Sequence, residues 1–97
     1  LKDSEIIPLL LQLRRATFFS LDSDFYKREL CHGKYCLVAM DVRKQDAAIF
    51  VRRFLQHPQF DTAMKRMGIV ARVSPPGLAV WRSKAAHETQ VDWVRLH

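Results

Sequence analysis

PQFDTAMKRMGIVARVSPPGLAVWRSK, residues 58–84, divides at Gly68 into two patterns. Before Gly68, Phe60, Ala63, Met64 and Met67 recur at helical spacing, which predicts a helix over 58–67. Pro58 suits its first position, Asp61 its first turn, and Gly68 its C-terminal cap. After Gly68, Ile69–Ser74 and Leu78–Ser83 alternate around Pro75-Pro76-Gly77 and predict a β-hairpin. Cations sit on both halves: Lys65 and Arg66 on the helix, Arg72, Arg82 and Lys84 on the hairpin.

Upstream, His57-Pro58 ends a helix over Lys44–Gln56, because the residue before proline avoids the helical region. Ala47, Ala48, Phe50, Val51, Phe54 and Leu55 form its apolar stripe; Lys44, Gln45, Arg52, Arg53 and Gln56 lie outside it. Tyr35–Val42 (YCLVAMDV) is apolar on both faces, as in a central strand. Residues 20–35 read as a short helix or irregular segment, with a strand paired to the next one through a His32-Gly33-Lys34 turn as the alternative. At the N-terminus, Ser4 can cap a helix whose inner positions Ile6, Leu9, Leu10, Leu13 and Thr17 carry it to about Phe18. Downstream, 84–90 is polar loop, and Val91–Leu96 adds a last strand or docks as an extended tail.

These elements predict one α+β domain over 1–97: an N-terminal helix, a small antiparallel sheet, and a C-terminal helix-helix-hairpin unit. That unit resembles a winged helix in outline, by fold-level analogy. The apolar strand Tyr35–Val42 departs from the outline and points to a larger sheet than a wing needs.

Ninety-seven residues suit one domain that builds a core without metals or disulfides. A 48% hydrophobic and 27% charged composition excludes a disordered chain. No apolar run approaches the roughly 18 residues of a membrane span, so no membrane partner is expected. Leu9-Leu10-Leu11 lacks the basic flank and small-residue cleavage site of a signal peptide. The chain opens on Leu1 rather than Met, the mark of a processed product or of a domain within a larger protein. Two cysteines point to a reduced, intracellular protein, cytoplasmic or nuclear.

The net charge is +6, and five Lys/Arg doublets recur: Arg14-Arg15, Lys27-Arg28, Arg43-Lys44, Arg52-Arg53 and Lys65-Arg66. Such a balance attracts nucleic acid or an acidic protein. With the apolar stripe of helix 58–67 turned inward, Gln59, Thr62, Lys65 and Arg66 face out, residue types that read base edges and phosphates. The expected function is nucleic-acid binding, DNA before RNA, through Arg52, Arg53, Gln59, Thr62, Lys65, Arg66, Arg72, Arg82 and Lys84. Trp81 and Trp93 are assigned to packing, with stacking on a base the alternative for Trp81. The rival reading is a protein-interaction or regulatory module that takes an acidic partner or self-associates; the high apolar fraction and Met40, Met64 and Met67 support it. Cations converging on one face would favour nucleic acid, and an exposed apolar patch bordered by charge would favour a protein.

Catalysis and cofactors find no motif. There is no G-x-S-x-G elbow, three glycines make no phosphate-cradling loop, and Asp22, Asp24, Asp41 and Asp46 are scattered. Cys31, His32 and Cys36 have zinc-ligand chemistry in a C-H-x3-C spacing, without the second ligand pair of a ribbon or finger. Cys36, opening an apolar strand, reads as a small hydrophobe.

Overall fold

In the computed structural model, which describes residues 3–93, the chain folds as an α+β structure around a five-stranded mixed sheet. The elements run α1 (Asp3–Gln12), β1 (Ala16–Ser20), β2 (Tyr35–Met40), α2 (Ala47–Gln56), α3 (Ala63–Arg66), β3 (Ile69–Ser74), β4 (Gly77–Arg82) and β5 (Thr89–Val91). Strand order follows the chain, β1-β2-β3-β4-β5. The first three strands are parallel, and the β3–β4 and β4–β5 pairs are antiparallel.

This corrects the expected small antiparallel sheet and its winged-helix-like outline. β2 pairs in parallel on both sides, and the chain continues past the hairpin into a fifth strand. Parallel strands covered on both faces read as unbroken apolar runs. β2 is such a run, buried at all six positions.

Alternation along the strands sends side chains into two cores. On one face Cys36, Val38, Met40, Ile69, Ala71, Val73, Leu78 and Val80 meet Phe50 and Phe54 of α2 together with Phe60. On the other, Leu37, Val70 and Tyr35 meet Ile6 and Leu10 of α1 and Phe25. Each fully buried aliphatic or aromatic side chain contributes about 1.5–3 kcal/mol of transfer free energy, so the two cores together hold the layers. The β1–β2 connection, two 3-10 turns at Ser23–Phe25 and Arg28–Leu30, crosses the α1 face, while the β2–β3 connection crosses the other. Two steps in the same direction over opposite faces have opposite hands, so one departs from the right-handed rule.

The expected helix to about Phe18 stops at Gln12. Arg15 takes a left-handed φ of 54°, turning the chain into β1. The expected helix over 58–67 shrinks to the single turn Ala63–Arg66, because Thr62 is extended and caps that turn through its Oγ1. Phe60 reaches the core from the preceding turn instead. The expected helix over Lys44–Gln56 opens as a 3-10 turn and becomes α-helical at Ala47. Thr89 and Gln90, expected in the polar loop 84–90, open strand β5. Of the expected tail 91–96, Val91 completes that pairing with β4 and Trp93 Nε1 donates to the Ser74 carbonyl at 2.8 Å, while positions 94–96 lie outside the described residues.

Gly68 is the joint between the two halves of residues 58–84. At φ +83° its N–H donates to the Tyr35 carbonyl at 3.0 Å, and its carbonyl accepts from Ser83 N–H at 2.8 Å. A residue with a Cβ resists that conformation, and the loss falls on the start of β3 and the end of β4 together.

Candidate nucleic-acid interface

The nine expected contact residues are distributed over several surfaces. In the 58–67 segment, Lys65 Nζ donates to Asp61 Oδ1 and to the Pro58 carbonyl, both at 2.8 Å. That bond holds the exposed Asp61 carboxyl below its ordinary range. Thr62 accepts the Lys65 N–H at 3.2 Å. Arg66, half-buried, donates to Thr17 Oγ1 at 2.9 Å and to the Phe60 carbonyl at 2.8 Å, tying this loop to β1. Lys65, Thr62 and Arg66 therefore serve the local fold. Gln59 is exposed, and its N–H donates to His57 Nδ1.

Arg52 and Arg53 occupy the exposed side of α2. The Arg53 guanidinium lies 4.3 Å from the Trp93 ring and 5.1 Å from Phe50, a cation–π contact that closes the edge of the core. Arg72 and Arg82 emerge on opposite faces of the hairpin. Arg72 shares its face with Val70, whereas Arg82 pairs with Ile69, which faces α2. Lys84 is exposed in the turn after β4, at φ 68°.

The α1 face of β3 and β4 gathers a second set of groups. Arg72 stands between Ala39 and Ala79, whose small side chains leave it proud of the sheet. Its guanidinium lies 5.3 Å from the Tyr26 ring, which the first crossover delivers. Trp81, opposite Val70, is the diagonal neighbour of Arg72 on the next strand, and the Arg28 guanidinium lies 5.4 Å from its ring. Tyr26 Oη donates to the Glu88 carboxylate, and Gln90 Nε2 donates to Glu88 Oε1 at 2.8 Å. Burial first, and Glu88 second, push the Tyr26 phenol well above its ordinary value. Two guanidinium groups on two half-buried aromatic rings make a surface suited to planar, anionic ligands; the Glu88 carboxylate is held by two donors. Tyr26 and Glu88 escape sequence reading because their partners are distant along the chain. The Lys27-Arg28 doublet was the one local signal for Arg28.

The zinc-type residues separate. Cys36 is buried among the side chains that face α2, Cys31 packs on the other face with its Sγ toward the Trp81 carbonyl, and exposed His32 stacks on Tyr35. Among the described residues no three His, Cys, Asp or Glu side chains are grouped to hold a metal. Burial pushes the Cys36 thiol up to about 12 and raises Cys31 and Tyr35 as well. The folded state therefore keeps these protons after the unfolded chain releases them. Their stabilisation is complete below the ordinary thiol value of 9.0 and is lost as pH rises toward the folded-state values. Urea midpoints measured from about pH 8 to about pH 11 are expected to fall steadily above about pH 9. A flat profile would contradict the burial of these groups.

No described helix is long and apolar enough to cross a membrane. No protein-family model matches the chain, and no curated protein or solved structure shows significant similarity to it.

Proposed function

We propose that the chain binds single-stranded nucleic acid, with little sequence preference, across the α1 face of β3 and β4. The observation that carries this reading is the pair of arginine–aromatic contacts, Arg72 on Tyr26 and Arg28 on Trp81, set diagonally on adjacent strands. Aromatic and guanidinium planes stack on any base, at about 1–3 kcal/mol per base, and the guanidinium groups meet phosphates. Major-groove reading by helix 58–67 loses its support, since that helix is one turn and its cations are bonded internally. Arg82 and Lys84 carry no ion pair among the described residues and add to the positive field that draws a polyanion in. Two free thiols support an intracellular setting.

The test is the double substitution Arg28→Ala with Arg72→Ala. It is expected to weaken binding of a labelled oligothymidylate by about tenfold or more. It should also lower the slope of log K against log salt by about 1.4, at about 0.7 per lost phosphate contact. Arg52→Ala on α2 is the control and should change the affinity little. An unchanged affinity and slope in the double variant would place the binding elsewhere.

A further inference from the structure

A separate cleft lies at the C-terminal end of α1. Leu11, Gln12 and Leu13, the turn Arg14-Arg15, the Gly33-Lys34 turn, and Met64 and Met67 enclose about 520 Å³ that opens to solvent. Three of its apolar members are unusually bare: Leu11 is 39%, Leu13 59% and Met64 63% exposed, while Met67 is half-buried against the core. Leaving such side chains in water forfeits transfer free energy that a partner's apolar side chains would recover. Methionine also repacks readily around different shapes.

The rim has one sign. Arg14, Arg15 and Lys34 line the cleft, no carboxylate does, and none of these three side chains is ion-paired among the described residues. The cations approach from two separate segments, before β1 and before β2, so an occupant lying between them meets positive charge on both sides. An apolar floor between cations complements a segment that alternates the opposite way, with leucine-like residues on one side and carboxylates on the flanks. Nucleic acid would use the cations and leave the leucine and methionine side chains unmatched. A free acyl chain needs an enclosed pocket that buries most of its surface, and this cleft is open.

We infer that this cleft is the docking site for an acidic amphipathic segment of a partner protein, its apolar residues on Leu11, Leu13 and Met64 and its carboxylates on Arg14, Arg15 and Lys34. The site is distinct from the arginine–aromatic face, and neither depends on the other.

The probe is a fluorescein-labelled peptide of about twelve residues with Leu at i, i+3, i+4 and i+7 and Glu elsewhere, titrated in isotope-labelled full chain. Amide shifts are expected over 11–15, 33–34 and 64–67. R14E with K34E should weaken the peptide more than about tenfold and admit the version bearing Lys in place of Glu. Leu13→Ser, an exposed change on the apolar floor, should weaken both peptides with the fold intact. No shift at millimolar peptide, shifts confined to other residues, or binding indifferent to R14E with K34E would overturn the assignment. So would displacement of the peptide from these residues by a single-stranded oligonucleotide.

Discussion

Phe54→Ala is expected to destabilise the chain by about 3–5 kcal/mol, a large share of the roughly 5–15 kcal/mol that holds a domain of this kind. Phe54 is fully buried and joins α2 to two other parts of the fold. Its ring stacks on Phe60 with centroids 4.8 Å apart and meets the edge of Phe19 at 5.8 Å, joining the helix to the loop before α3 and to strand β1. Truncation removes the transfer free energy of the ring and leaves a cavity between rigid neighbours, and these losses add. Urea unfolding should show a lower midpoint at an unchanged slope. A loss below about 1 kcal/mol would mean that α2 does not pack on the sheet through this residue.

His57→Leu is expected to cost about 2–4 kcal/mol, although leucine fills similar space. His57 is 4% exposed and is the one buried polar residue among those described. Nδ1 accepts the Gln59 N–H at 3.1 Å, so the proton sits on Nε2, which donates to the Asp92 carbonyl at 2.9 Å. Leucine leaves both backbone groups without these partners, and a buried orphan costs about 1–3 kcal/mol. The bond to Asp92 also holds the chain after β5 against the end of α2, next to the Arg53–Trp93 contact. His57→Leu should therefore change the Trp93 fluorescence in the folded state. A variant as stable as the parent, with unaltered emission, would contradict this anchoring role.

Local patterns disclosed the elements that depend on local chemistry. Six consecutive apolar residues in β2, the stripe of α2 and the Pro75-Pro76 turn could each be read within a dozen residues. The missed strand β1 could not. Leu13 and Thr17 continue the helical spacing of Ile6 and Leu10, and the break depends on Arg15 adopting a left-handed φ that no residue type announces. Parallel pairing leaves no local trace either, since Ala16 meets Tyr35 across a long crossover. For helix 58–67 the periodicity was present, but Thr62 begins the turn late and leaves Met64 in solvent.

The candidate contact residues divide along the same line. The Asp61–Lys65 pair is an i, i+4 contact legible in sequence, and at the exposed surface solvent screening leaves it weak. Arg66 reaching Thr17, Arg72 reaching Tyr26 and Arg28 reaching Trp81 are all long-range. The divergence of Arg72 and Arg82 follows from hairpin register alone. Once Ser74 pairs with Gly77, Arg72 and Arg82 fall on opposite faces.

The most direct measurement is fluorescence anisotropy of the intact chain against labelled single-stranded and duplex DNA and RNA of equal length, at about 50 and 200 mM salt. Binding across the arginine–aromatic face predicts single strands held more tightly than duplexes, with affinity that falls steeply as salt rises. Duplex binding that equals or exceeds single-strand binding, or no binding at the lower salt, would contradict it.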